Sequence, residues 1–73
     1  MPKIGHFPGT DVCRILKQHG FRQVRQRGSH VVMQRKDGAS TVTVPVPIHC
    51  EIRIGTLLSI IRQSGVQRTA FEI

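Results

Sequence analysis

The sequence predicts a small α+β domain of order α-β-β-β-α, in which a three-stranded antiparallel sheet carries both helices on one face. Three observations lead there: apolar residues recur at helical spacing near each end, the period falls to two between them, and glycines punctuate the changes. Seventy-three residues are read as one domain, 1–73, with an irregular segment over 1–9. Its only aromatics are three Phe, so the core must be largely aliphatic. At this size such a core supplies only about 3–5 kcal/mol.

Taken in order, Thr10 is the expected N-cap of the first helix, with Asp11 in its first turn and Val12, Ile15 and Leu16 on its inner face. That helix runs to His19, whose place in the last turn suits the helix dipole. Gly20 ends it in a left-handed cap, and Phe21 folds back on Leu16. Residues 22–26, 29–35 and 40–44 alternate as strands, and the turns between them fall at Arg27-Gly28 and Lys36-Asp37-Gly38-Ala39. A second helix over 56–64 repeats the ending, with Gly65 as terminator and Val66 returning onto Ile61. Pro45 and Pro47 are expected to exclude a regular central strand, which leaves 45–53 as a crossing loop.

Alternation assigns the faces. The expected inward set is Val24, Val31, Met33, Val42 and Val44, against Val12, Ile15, Leu16, Leu57, Ile60 and Ile61 on the helices. The open face then receives Gln23 and Arg25, His30, Val32 and Gln34, and Thr41 and Thr43. A slip of one residue would bury His30 and expose Val31 and Met33, so core and imidazole position form one prediction.

Eleven Lys and Arg oppose four Asp and Glu, giving +7, and eight of the eleven cations are Arg. Arginine's planar fork fits phosphate, so the balance favours nucleic acid over a membrane surface, for which no basic amphipathic helix with bulky anchors is visible. Cys13 and Cys50 have no C-x-x-C spacing, and both are read as reduced. Together with four scattered His they form no metal-ligand pattern, so neither a metal nor another cofactor is expected. No apolar stretch resembles a secretory signal or a membrane span, and a cytoplasmic location is expected.

Chemistry concentrates in Arg27-Gly28-Ser29-His30, with Arg22 and Arg25 upstream and Arg35 and Lys36 downstream. An imidazole titrates near neutral pH and can act as base or acid. His30 is the candidate catalytic residue. Arg25 is the first choice to stabilise transition-state charge, with Arg27 and Lys36 as phosphate anchors. Gly28 permits positive φ and close backbone approach, and Ser29 can donate to a phosphate oxygen. His49 and His6 are weaker candidates for a second acid/base group. Leu58 can extend the apolar side of the second helix into a partner surface.

Gly20-Phe21, Arg25-Gln26-Arg27-Gly28-Ser29-His30, Asp37-Gly38, Thr43-Val44-Pro45, His49, Gly55-Thr56-Leu57, Ser59-Ile60, Arg62-Gln63 and Phe71 together resemble the HicA family of small bacterial toxins, over about residues 10 to 72. The resemblance implies a fold like a double-stranded-RNA-binding domain, mRNA interferase activity, and a HicB antitoxin that covers the active surface in a hetero-oligomeric complex. It also implies the catalytic role for His30, the histidine of the Gly-Ser-His motif. Three departures stand out: the extra Pro-containing step in Pro45-Val46-Pro47-Ile48-His49, Cys50, and Thr69-Ala70 in place of an acidic pair before Phe71. The alternatives to a ribonuclease are a non-catalytic module binding duplex RNA by shape, and a protein acting chiefly as the antitoxin's partner.

Overall fold

Helix α1 (Gly9–Gln18) begins before Thr10 in the computed structural model, which describes residues 7–48 and 51–72. The cap is Pro8, not Thr10: its carbonyl accepts Asp11 N–H at 3.0 Å and Val12 N–H at 3.2 Å, and no side chain caps the end. Packing explains the earlier start. A Cβ on Gly9 would overlap the Pro47 carbonyl and come within 2.6 Å of Ile48 Cα, so this first turn can press against the backbone at 47–48 only with glycine there. At the other end the Gly20 N–H donates to Lys17 O at 3.2 Å and the Phe21 N–H to Leu16 O at 3.0 Å, with Gly20 at φ +92°. This is the Schellman pair expected from Gly20-Phe21, and Leu16 and Phe21 are both buried.

Three strands follow, β1 (Arg22–Arg27), β2 (His30–Asp37) and β3 (Ser40–Pro47), in the order β1-β2-β3. Both hairpins close through two residues with glycine first, Gly28 at φ +57° and Gly38 at φ +64°, as a type II′ turn requires. Contrary to expectation, the third strand continues through Pro45 and Pro47, which pair with Val32 and His30. Its edge position permits this. The Ile48 N–H reaches Ser29 O at 2.8 Å, so even-numbered residues here direct their N–H groups to β2 and both prolines fall where an N–H would face outward.

A second departure lies in β1. Gln23 pairs with Met33 and Arg25 with Val32, leaving Val24 as the extra residue of a bulge. Val24 is therefore 40% exposed and not part of the core, and Gln23 takes the helix-side register expected of its neighbour.

Helix α2 (Ile54–Ser64) starts two residues before Thr56 and ends at Gly65, φ +72°, whose N–H donates to Ile61 O at 3.2 Å. Ser64 completes the cap. Its hydroxyl donates to Ile61 O at 3.1 Å and accepts the Val66 N–H at 3.2 Å, which turns buried Val66 back onto the core. A 3₁₀ turn (Arg68–Phe71) then delivers Phe71, fully buried and edge-on to Phe7 at 6.2 Å. Val12 and Leu16 of α1, Leu57 and Ile60 of α2, and Val31, Met33, Val44 and Val46 of the sheet form the centre of the core. Val42, Ile15 and Ile61 pack around it, half-buried.

Candidate active site

Pairing register and burial together assign the strand residues other than the bulged Val24 to a face. Val31 and Met33 are buried under the helices, so His30, Val32, Gln34 and Lys36 point the other way, and directly paired residues share that face. Four transverse rows result on the open face: Arg27-His30-Pro47, Arg25-Val32-Pro45, Arg22-Gln34-Thr43 and Lys36-Thr41. His30 is exposed and lies between Arg27 on one side and Pro47 on the other.

The surroundings of His30 are braced by backbone. Gln26 Nε2 donates to the Gly28 carbonyl at 3.1 Å across the turn, and the Ser29 carbonyl accepts the Ile48 N–H. Turn and strand end thus hold the first residue of β2 from both sides, while Gly28 has open space where a Cβ would be. Arg25 is one row further along. Lys36 is six residues from His30 on the same strand, about 20 Å at strand rise, so it cannot act on the same phosphate as His30.

Each row therefore contains one cation, and none of Arg22, Arg25, Arg27 and Lys36 has an ion pair among the described residues. The acids stand elsewhere. Asp11 is paired with Arg14 at 3.3 Å, Glu72 with Arg68 at 3.6 Å, the Glu51 backbone forms a bridge with Pro8 outside the three strands, and Asp37 has the opposite strand parity from Lys36. A face with a cation in every row and no carboxylate among the described residues of those rows attracts polyanions along its length.

Arg35 does not belong to this field, although its position beside Lys36 counted it in. It points to the helix side, where Nη1 donates to the His19 carbonyl at 3.3 Å and Nη2 to the Ser64 carbonyl at 3.4 Å. Its guanidinium also lies 4.9 Å from the centre of the Phe21 ring. One arginine thereby satisfies carbonyls at the C-terminal ends of both helices, where the dipoles are negative. His19 is structural as well: it is the C-cap just past Gln18, not the last helical residue expected, and its Nδ1 is 2.9 Å from Ile15 O in the last turn of α1.

His49, His6 and Cys50 lie outside the described residues. Cys13 is buried and free, and burial raises its thiol pKa above the usual 9.0 against the opposing pull of Lys17. Among the described residues no group of three His, Cys, Asp or Glu could hold a metal ion. No described helix is long and apolar enough to cross a membrane.

No curated protein matches the chain. A family model described as the HicA toxin of bacterial toxin–antitoxin systems matches residues 9–66, from the first residue of α1 to the residue after the glycine that ends α2. With four-fifths of its length inside that match and the α-β-β-β-α order expected of it, the chain belongs to the HicA toxin family.

Proposed function

We propose that this toxin is an mRNA interferase that cleaves RNA on the open face of its sheet with His30 as general acid or base. The observation that supports it most is the row Arg27-His30-Pro47: an exposed imidazole with a guanidinium on the neighbouring strand and no carboxylate among the described residues of the strand rows. RNA supplies its own nucleophile. The 2′-oxygen attacks the adjacent phosphorus and loses its proton to a base; the bond from phosphorus to the 5′-oxygen breaks and that oxygen takes a proton from an acid. The products are a 2′,3′-cyclic phosphate and a 5′-hydroxyl, and the reaction consumes no cofactor. An imidazole in either role contributes about 10²- to 10⁴-fold. Arg27 is placed to offset charge on the phosphorane, Arg25 holds the next stretch of backbone, and Gly28 and Ser29 present an open turn beside it.

Membership of a toxin–antitoxin family implies an antitoxin partner. In this reading a HicB antitoxin inhibits by covering His30, and a net charge of +7 attracts an acidic partner to the face that binds RNA. The element order is also that of domains that bind duplex RNA by shape, which supports the alternative of a non-catalytic RNA-binding module. Incubating purified protein with RNA in EDTA separates the two. The proposal expects 5′-hydroxyl and cyclic-phosphate ends from the wild type and none from His30→Ala. Binding without cutting by the wild type would favour the module, and undiminished cleavage by His30→Ala would overturn the proposal.

A further inference from the structure

We propose a second phosphate subsite at the end of the open face remote from His30, which takes a phosphodiester of the same RNA strand several nucleotides from the scissile bond. The inference rests on the ribonuclease reading and adds where the strand runs. A cleft of about 330 Å³ opens there, lined by Gly20, Arg22, Gln34, Arg35, Lys36 and Thr41. Arg22 pairs with Gln34 and Lys36 with Thr41, so a fork, an ammonium and a hydroxyl converge from all three strands. Gln34 Nε2 donates to Thr43 Oγ1 at 3.3 Å, which ties the amide to the third strand. The nearest acid in sequence, Asp37, is on the opposite face, and Arg35, although it borders the cleft, has its donors held by the helix carbonyls.

The bulge places Arg22 there. Strict alternation from Arg27 and Arg25 would turn Gln23 outward and Arg22 towards the helices. Val24, as the extra residue, reverses this, so Arg22 faces outward beside Gln34 and continues the series Arg27, Arg25, Arg22, Lys36. Rows two residues apart are about 7 Å from one another, and the series spans about 20 Å. At about 3.4 Å per stacked nucleotide that is about six nucleotides, and fewer when the strand is extended.

The test uses His30→Ala protein, so that RNA stays intact, and compares affinities for RNAs of about three and about twelve nucleotides across a salt series. The subsite predicts that the longer RNA binds at least about tenfold more tightly, and that Arg22→Gln with Lys36→Gln removes most of this advantage. The salt slope for the longer RNA should flatten by about 1.4, the value for two lost single-strand contacts. Arg14→Gln with Arg68→Gln, which removes the same charge from sites off the sheet, should leave the advantage in place. Equal losses from both pairs, or an unchanged length advantage in the first, would overturn the subsite while leaving cleavage at His30 standing. Failure of the parent protein to bind either RNA would overturn the ribonuclease reading and the subsite with it.

Discussion

The two faces of the sheet put the same residue type to opposite uses. On the helix side Arg35 reaches two carbonyls and an aromatic ring, and its charge is spent on the ends of α1 and α2. On the open side Arg22, Arg25 and Arg27 have no ion pair among the described residues, and Arg27 stands beside an exposed imidazole. Strand parity decides between these roles. Proximity in sequence to the Gly-Ser-His motif does not, since Arg35 and Lys36 are adjacent and belong to different faces.

If the faces divide the work in this way, damage to one should leave the other's property intact. The largest effect is expected under the helices. Phe71→Ala removes a fully buried ring and should cost about 3–5 kcal/mol, close to the whole stability of so small a domain; a cooperative thermal melt near that of the wild type would contradict it. Arg35→Ala is next, with a loss of about 1–2 kcal/mol in urea unfolding because two helix-end carbonyls lose their donor. Should that variant keep its stability and lose RNA binding instead, Arg35 would have to be reassigned to the open face.

On the open face the expected stability changes are small and the functional ones are not. Arg27→Gln should stay within about 0.5 kcal/mol of the wild type and lower the salt slope for single-stranded RNA by about 0.7. Val24 marks the smallest effect. Val24→Thr should also fall within about 0.5 kcal/mol, whereas Val44→Thr buries an unpartnered hydroxyl and should cost about 1–3 kcal/mol by the same melt. A costly Val24→Thr would mean that the bulge is more tightly packed than its exposure indicates.

Much of this division is legible in the sequence because it depends on local rules. Gly20-Phe21 and Gly65-Val66 signal helix endings that form as expected, and alternation through Val31 and Met33 turns His30 outward without reference to any other strand. What escapes is set by partners distant in sequence. The bulge at Val24 exists only against β2, so neither its exposure nor the outward turn of Arg22 can be read from β1 alone. Pro45 and Pro47 read as strand breakers until the sheet order makes β3 an edge. Gly9 at the start of α1 answers to the backbone at 47–48, and the double cap by Arg35 needs both helix ends brought together by the fold.

The central claim is that RNA lies on the open face across His30, and backbone and side-chain NMR of His30→Ala protein titrated with RNA tests it most directly. The account predicts shifts concentrated at residue 30, Val32, Gln34 and Lys36 and at Arg25 and Arg27, with α1 and α2 little changed. Shifts concentrated on the two helices, with those strand residues silent, would contradict it.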